Sequence, residues 1–268
     1  MSQYQLLALD LDGTVLGHDL SIDERVSDAI HRARAQGVHV TIATGRMFGA
    51  ALPFARRLEV DVPLICYQGA VLRHPLTGEF YAHHSMPPDA AAEAITAVLD
   101  ANIFVIAYID ERLYIAERRP ELDLYLTFHP EGADVVLAPD LPALVADSIT
   151  TKILFVAEPD VVTHTLARLV PRFAERLELI RSHQLFGEFT ALGVSKGQML
   201  EQLAQKIGVP QEAVIAIGDQ ENDLSMISWA GLGLAMGNAI PPVKAIADAV
   251  LPSVQEAGVA YAIEHYLL

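Results

Sequence analysis

Apolar runs of strand length alternate with segments of helical periodicity at both ends of this chain, and that alternation is its strongest structural constraint. Near the N-terminal end, the apolar runs cover residues 4–9, 38–43 and 62–67. Near the C-terminal end, they cover residues 213–217, 232–235 and 249–251. Such alternation is typical of βαβ units. We therefore predict an α/β fold with a doubly wound, mainly parallel, Rossmann-like core.

Helices are predicted between these strands. Ser21 and Glu24 have the spacing of a capping box, and apolar residues follow at helical intervals until Gly37, a residue type that commonly ends a helix. A second helix is predicted to begin near Lys196 and to stop at Gly208.

The middle of the chain has a different rhythm. Residues 83–88 resemble a linker, and an alanine-rich helix is predicted over residues 89–101. Four strands, with one helix from about residue 161, are predicted over residues 104–109, 113–117, 152–157 and 177–181. Adjacent strands without crossover helices indicate an antiparallel sheet and a second domain inserted into the first. We predict a core domain of residues 1–82 and 188–268 and an inserted α/β cap domain of residues 83–187.

The composition excludes several classes of protein. The 268 residues include 18 Lys and Arg against 34 Asp and Glu, a formal net charge of −16, so binding to nucleic acid is not expected. The single cysteine, Cys66, excludes a disulfide framework and suits a reducing cytoplasm. The N-terminal segment lacks a signal-peptide pattern, and no segment reaches about 18 uninterrupted apolar residues. We expect a cytoplasmic protein without a membrane association.

Polar residues follow three of the predicted strands. These polar segments are DLDGT at residues 10–14, TGR at residues 44–46 and GDQEND at residues 218–223. Ligands of open parallel sheets bind at the carboxyl ends of the strands, where such segments meet. Convergence would bring together four carboxylates and one ammonium group, those of Asp10, Asp12, Asp219, Asp223 and Lys196.

A cluster of carboxylates needs a counter-charge. Two like charges about 4 Å apart repel by roughly 4 kcal/mol at an effective dielectric constant of about 20. One lysine does not offset several such pairs. Because Mg²⁺ prefers carboxylate, water and phosphate oxygens, the cluster indicates a Mg²⁺ site for a phosphorylated substrate.

The same residues suit phosphoryl transfer. Asp10 and Asp12 are two apart on a segment expected to be extended, so their side chains are expected on one side. One carboxylate can attack phosphorus, and the other can donate a proton to the leaving oxygen and later accept one from water. Thr44 can offer its hydroxyl and N–H to a phosphoryl oxygen. Lys196 is expected at a helix start, where the helix dipole disfavours a cation, so it needs an anionic partner, either phosphate or Asp10.

Each motif also has a structural interpretation. An Asp-Gly pair alone is a common hairpin turn. Arg46 is as compatible with a surface ion pair as with a ligand contact. The occurrence of the motifs together favours a functional site.

The chain resembles the haloacid dehalogenase-like phosphohydrolases, and within them the Cof-type branch with a class IIB cap. The matching segments are DLDGT at 10–14, TGR at 44–46, VSKG at 194–197, GDQENDLSM at 218–226 and AMGNA at 235–239. They extend over the whole predicted core, about 60% of the chain, whereas the insertion matches only in place and size.

This resemblance implies a role for each motif residue. Asp10 is implied to be the nucleophile and Asp12 the general acid/base. The implied Mg²⁺ ligands are Asp10, the backbone carbonyl of Asp12 and Asp219, with Asp223 acting through water. The implied phosphate-binding set is Leu11 (through its backbone), Thr44, Gly45, Lys196 and Asn222. At one position the chain departs from the family pattern: Gln68-Gly69 replaces the usual Asn-Gly, so no ligand contact is transferred to Gln68.

Three functions share this set of residues. The first is a Mg²⁺-dependent phosphatase for small phosphomonoesters, of the sugar phosphate, pyridoxal phosphate or flavin mononucleotide class. The others are a phosphomutase and a phospho-acceptor signalling or binding protein. Candidate substrate contacts in the cap are Tyr108, Arg112, Arg118, Arg119 and His183. The oligomeric state is not encoded in any pattern of the sequence.

Overall fold

The computed structural model describes residues 3–17, 19–128 and 132–268. The chain divides into two compact units. The first unit is formed by Met1–Ala82 and Ser195–Leu268, and the second by His83–Val194. Across these described residues, no helix has the length and apolar character that crossing a membrane requires.

The strands and helices are numbered in chain order. The strands are β1 (Leu6–Leu9), β2 (His39–Ile42), β3 (Leu64–Cys66), β4 (Val71–Arg73), β5 (Phe80–His83), β6 (Phe104–Ile109), β7 (Arg112–Ile115), β8 (Val135–Leu137), β9 (Lys152–Val156), β10 (Leu177–His183), β11 (Phe186–Ala191), β12 (Val214–Gly218), β13 (Leu232–Ala235) and β14 (Ala249–Val250). The helices are α1 (Glu24–Ala35), α2 (Phe48–Arg57), α3 (Pro88–Leu99), α4 (Pro120–Leu126), α5 (Leu141–Ala146), α6 (Pro159–Phe173), α7 (Lys196–Ile207), α8 (Leu224–Trp229), α9 (Pro241–Ile246) and α10 (Gly258–Tyr266).

The first unit is built on a parallel sheet in the order β14-β13-β12-β1-β2. Every residue of β1 is buried, so the strand is a continuous apolar run, as expected when helices cover both faces of a sheet. Helix α1 packs against α10, and α7 packs against α8. This arrangement confirms the predicted α/β class and the doubly wound, mainly parallel core.

The third predicted strand has a different partner from that expected for a parallel core. β3 pairs antiparallel with β4 in a separate three-stranded sheet, and in the described part of the chain it is linked toward the main sheet by a parallel bridge between Ala43 and Ile65. The hairpin of β4 and β5 was not predicted. Its β5 strand is half-exposed and lacks the apolar run by which the buried strands were recognised.

The second unit contains a six-stranded sheet in the order β10-β11-β9-β6-β7-β8. All its neighbouring strands are antiparallel except β7 and β8, which run parallel. The sheet is thus mainly antiparallel, as predicted. Phe173, the last residue of α6, meets the ring of Phe189 edge to face, and Phe155 meets Phe189 in a tilted arrangement. Because β11 belongs to this sheet, the unit continues to Val194, beyond the boundary at residue 187 suggested by the sequence. That the first unit is a catalytic core and the second a cap that selects substrates stays a prediction.

The capping box predicted at Ser21 is wrong. Ile22 forms an antiparallel bridge with Leu16, which keeps residues 21 and 22 extended and delays the helix. Helix α1 therefore begins at Glu24, and the carboxylate of Asp23 caps it by accepting a hydrogen bond from the N–H of Arg25 at 2.8 Å. The predicted end is confirmed, because Gly37 follows the helix with a φ of +88°.

Asp23→Ala is expected to lower the free energy of unfolding by about 1 kcal/mol, because it removes the cap of α1. Asp23→Asn should lose less, since an amide oxygen can also accept the Arg25 N–H bond. The measurement is chemical denaturation of the first unit within the intact chain. Ser21→Ala is the matched control. A larger loss for Ser21→Ala than for Asp23→Ala would contradict this assignment of the cap.

Candidate active site

The ends of three neighbouring strands define the candidate site. β1 lies between β2 and β12, with Leu9 in register with both Ile42 and Ile217. The N–H of Asp10 extends this pairing by donating to the carbonyl of Ile217 at 3.0 Å. The polar segments that follow these strands therefore meet at the carboxyl edge of the sheet, as the topology of a parallel sheet requires.

Three carboxylates cluster at this edge. Asp10, Asp219 and Asp223 each present an oxygen within 4.8 Å of the others, and all three residues are buried. Carboxylate oxygens grouped in this way are the donors that hard divalent cations such as Mg²⁺ take. The cluster can therefore hold a divalent metal.

Lys196 provides a positive charge inside the cluster. Its Nζ donates to Oδ1 of Asp10 at 2.6 Å and to Oδ1 of Asp223 at 2.6 Å, and the residue is 1% exposed. Lys196 is the first residue of α7, behind the N-cap Ser195. The anionic partner expected for a lysine at a helix start is thus Asp10, joined by Asp223.

Burial controls the protonation of these groups. Burial raises the pKa of Asp10 well above its usual range, an effect opposed by Lys196 and reinforced by the neighbouring carboxylates. Burial, with Asp223, raises the pKa of Asp219 to about 7. Burial acts to lower the pKa of Lys196, but Asp10 and Asp223 outweigh it, so the net shift is upward and the ammonium stays charged. Fully ionised, the three carboxylates would therefore carry more negative charge than Lys196 can offset.

Asp223 also shapes the loop that carries Asp219. Its Oδ2 accepts hydrogen bonds from the N–H of Asp219 at 2.8 Å and from that of Gln220 at 3.0 Å. A Cβ at Gly218 would collide with the Asp223 carboxyl group, so this position needs glycine. Asp223 consequently accepts hydrogen bonds from the loop backbone with Oδ2 and from Lys196 with Oδ1.

Side chains without an assigned role in the sequence analysis surround Asp219. Its carboxylate accepts from Thr14 Oγ1 at 3.3 Å, Gln220 Nε2 at 3.0 Å and Asn238 Nδ2 at 3.4 Å. Asn238 also donates to the carbonyl of Gly13 at 2.8 Å. Asn238 follows β13 at the same edge of the sheet. The search for polar residues after each predicted strand, which identified Asp10 and Asp219, could therefore also have identified Asn238.

Asp12 stands apart from the three carboxylates. After Asp10, residues 11–16 leave the line of β1. They form a turn in which the N–H groups of Thr14, Val15 and Leu16 donate to the carbonyl of Leu11. The segment predicted to be extended is therefore a turn from Leu11 onward, and Asp12 still lies near enough to Asp10 to help raise the pKa of that carboxyl. Gly13 has a φ of +86°, and a Cβ there would approach Asp219 Oδ2 to 2.5 Å.

Arg46 binds the Asp12 carboxylate. Its Nη2 donates to Oδ1 at 2.6 Å and its Nε to Oδ2 at 2.9 Å, a bidentate geometry. The Arg46 guanidinium also lies over the ring of Phe54. Of the two interpretations left open for Arg46, the structure shows the ion pair, made by an arginine that is 6% exposed with a half-exposed aspartate.

The residues expected to bind phosphate lie on segments that contact one another. Thr44 Oγ1 accepts from the N–H of Arg46 at 3.1 Å. Asn222 Nδ2 donates to Oε1 of Gln68 at 2.8 Å, and the Gln68 carboxamide lies against Gly45. The contact partner of Asn222 and Gly45 is thus Gln68, to which the sequence assigned no ligand contact.

The candidate substrate contacts in the second unit have local partners. Tyr108 is buried and hydrogen-bonded to Tyr125, and His183 packs against Phe128 and Phe186. Arg112 pairs with Asp134 and Arg119 with Glu121, whereas Arg118 is exposed. A buried pair of Lys152 and Glu188, 3.4 Å apart, lies in the same sheet.

Comparisons with known proteins agree with this geometry. Residues 7–263 match the family model of the haloacid dehalogenase-like hydrolases. YxeH of Bacillus subtilis is 31% identical, with 99% of each chain covered. The 5-amino-6-(5-phospho-D-ribitylamino)uracil phosphatase YitU of the same organism is 30% identical, with 97% of each chain covered.

A solved structure has the same fold. A haloacid dehalogenase-like hydrolase from Bacteroides thetaiotaomicron is 28% identical, with 98% of this chain and 99% of that chain covered and a TM-score of 0.86. The family resemblance read from the five motifs is thereby confirmed. The chain belongs to the haloacid dehalogenase-like hydrolase family.

Proposed function

We propose that this protein is a Mg²⁺-dependent phosphatase that hydrolyses phosphomonoesters of small metabolites through an aspartyl-phosphate on Asp10. One observation carries the proposal: the buried Asp10 carboxylate is bonded to Lys196 and clusters with Asp219 and Asp223. A buried carboxylate beside a fixed cation and a metal-binding donor set is suited to attack a phosphoryl group.

The metal would be held by Asp10, the backbone carbonyl of Asp12 and Asp219, with Asp223 acting through water. The raised pKa values of Asp10 and Asp219 support this assignment, because the two carboxylates lack sufficient positive charge. When bound, Mg²⁺ would neutralise phosphoryl oxygens and favour the ionised carboxylates.

Asp10 is proposed as the nucleophile. A carboxylate oxygen of Asp10 attacks phosphorus while the bond between phosphorus and the ester oxygen breaks, which leaves the phosphoryl group on Asp10. Lys196 holds Asp10 through a hydrogen bond to Oδ1 and offers its charge to the phosphoryl oxygens. A water molecule then attacks the same phosphorus atom, releasing inorganic phosphate and regenerating Asp10.

Asp12 is proposed as the general acid and base. Its side chain is 46% exposed, so the leaving group of a substrate can approach it from solvent. The protonated carboxyl of Asp12 donates its proton to the leaving oxygen, and the resulting carboxylate accepts a proton from the attacking water. Arg46 holds Asp12 in the present arrangement, and proton donation by Asp12 requires that this ion pair be released.

The phosphate-binding set comprises the Leu11 backbone, Thr44, Gly45, Lys196 and Asn222. The buried positions of Thr44 and Lys196 support their inclusion, because few competing waters reach them. The net charge of −16 repels anionic substrates at long range, so recognition depends on these local donors and on the metal. We therefore expect modest affinities and a broad range of accepted esters.

The substrate class is proposed from chemistry and from a relative. The name of YitU specifies a phosphorylated ribityl compound. For this chain we propose the sugar phosphate, pyridoxal phosphate and flavin mononucleotide class, with the unit His83–Val194 selecting among esters. We further propose a cytoplasmic location, which the single cysteine supports.

Asp10→Asn is expected to reduce phosphatase turnover at least about a thousandfold, because an amide is a poor nucleophile. The measurement is release of inorganic phosphate from an aryl phosphate and from a panel of metabolite phosphates with Mg²⁺. Asp28→Asn, on the exposed side of α1, is the matched control and should keep full activity. Unchanged turnover in Asp10→Asn would contradict the assignment.

The products distinguish this proposal from its rivals. Incubation with a sugar monophosphate should yield free sugar and inorganic phosphate in equal amounts. An isomerised sugar phosphate without free phosphate would instead indicate a phosphomutase. A phosphoaspartate that persists for many minutes would indicate a signalling or binding protein.

Mg²⁺ is expected to stabilise the protein more at pH 8 than at pH 5.5. The folded-state pKa of Asp219 is raised from 3.8 to about 7, so stability from its protonated form is complete below 3.8 and is lost as the pH rises through 7. The metal competes with that proton and therefore adds most stability where Asp219 is ionised. The measurement is the melting temperature with Mg²⁺ and with a chelator at each pH.

Asp219→Asn is the matched variant for this experiment. It should lose much of the stability gained from Mg²⁺ and some of the metal-free pH dependence. An equal effect of Mg²⁺ at the two pH values, or a full effect in Asp219→Asn, would contradict the metal assignment.

A further inference from the structure

The turn after β3 holds two buried residues in an uncommon backbone conformation. Tyr67 and Gln68 have φ values of +52° and +62°, in the left-handed region that side chains larger than glycine seldom occupy. Gln68 is 2% exposed. Such conformations persist where the surrounding structure imposes them, and they concentrate at functional sites.

This turn contacts two segments of the phosphate-binding set through its backbone. The N–H of Gln68 donates to the carbonyl of Thr44 at 3.1 Å, and the N–H of Tyr67 donates to that of Arg46 at 3.0 Å. The next residue, Gly69, lies so close to the carbonyl of Ser195 that a Cβ would collide with it. The turn is thereby connected to the 44–46 segment and to the start of α7.

The Gln68 side chain contacts the third segment. Its Oε1 accepts from Asn222 Nδ2 at 2.8 Å, and its Nε2 fills the space into which a Cβ at Gly45 would project. The carboxamide therefore occupies the gap between the 44–46 segment and the turn that carries Asn222.

Asn222 depends on this contact for its orientation. Within the described residues, its Oδ1 is buried and has no hydrogen-bond partner, whereas its Nδ2 is bonded to Gln68. Without Gln68, no hydrogen bond would fix the side to which the Nδ2 end and the Oδ1 end of the Asn222 carboxamide point. The second Nδ2 hydrogen of Asn222, which is not donated to Gln68, would then be offered to a phosphoryl oxygen for a smaller fraction of the time.

We propose that Gln68 is a positioning residue that orients the Asn222 amide toward the phosphoryl group. This inference rests on the proposed function of Asn222 as a phosphate ligand. Because Gln68 is buried and its carboxamide is engaged with Asn222 and Gly45, it acts on the phosphoryl group that all substrates share. Its loss therefore affects every ester by the same factor, whatever the leaving group.

The test is the variant Gln68→Met, which keeps the length of the side chain and removes its hydrogen bond. We expect KM, and the inhibition constant of inorganic phosphate, to rise about tenfold, as the loss of one buried hydrogen bond predicts. The change in kcat should be smaller, because the phosphoryl contact is made in both the bound substrate and the transition state. The factor should agree across esters with different leaving groups.

Two further variants keep the result interpretable. Gln68→Asn preserves an amide in a residue type that tolerates positive φ, but its side chain is one methylene shorter, so the amide no longer reaches Asn222. It should fold and show the same rise in KM as Gln68→Met. Gln205→Met makes the same chemical change on the exposed side of α7 and should leave KM unchanged.

A double variant identifies the route of the effect. In an Asn222→Ala background, adding Gln68→Met should change KM less than twofold, because the residue through which Gln68 acts is already absent. Multiplicative effects, a factor that differs between esters, or wild-type KM in both Gln68 variants would overturn the inference.

Phosphate binding separates this inference from the proposed function. The shift in melting temperature with inorganic phosphate and Mg²⁺ reports binding without turnover. If the wild-type protein binds phosphate but hydrolyses no ester, the proposed function fails, and weaker phosphate binding in Gln68→Met still supports the inference. If the wild-type protein binds no inorganic phosphate, both fail.

Discussion

The arrangement of this site depends on the confinement of like charges. Asp10, Asp219 and Asp223 are buried with carboxylate oxygens within 4.8 Å of one another, and the Lys196 ammonium group lies among them. Burial favours protonation of Asp10 and Asp219, whereas Lys196 favours the ionised form of both. Neighbouring groups also donate hydrogen bonds to these carboxylates: Asn238 and Thr14 donate to Asp219, and loop N–H groups donate to Asp223. A cluster with this charge balance could hold a divalent cation.

Close packing of loops keeps the charges confined. Gly13, Gly69 and Gly218 each lie where a Cβ would collide with a group from another part of the site. Side chains as small as that of alanine would separate these loops and enlarge the site. Gly13 and Gly218, which adjoin motif aspartates, thus help set the distances between charges that the aspartates supply.

The sequence predicted the parallel core because its buried strands are continuous apolar runs. β6 and β13 have the predicted bounds, and most other predicted strands are one to three residues shorter. Of the strands that were missed, β5 is half-exposed and β8 has only three residues. β11 is fully buried, but Gly187, Glu188 and Thr190 interrupt its apolar residues. The wrong prediction of a capping box at Ser21 comes instead from a contact between two segments. The bridge between Leu16 and Ile22 is a contact that no local pattern encodes.

For the site, residue types and their order along the chain were sufficient to identify the strand-end motifs and to place Lys196 at a helix start. The pairing of Asp12 with Arg46, and the contact of Gln68 with Asn222, required the tertiary structure. The physical reason is that hydrophobic periodicity and motif spacing act along the chain and are visible in it. The partner of a side chain is instead decided by which loops the sheet brings together, and those loops come from positions far apart in the sequence.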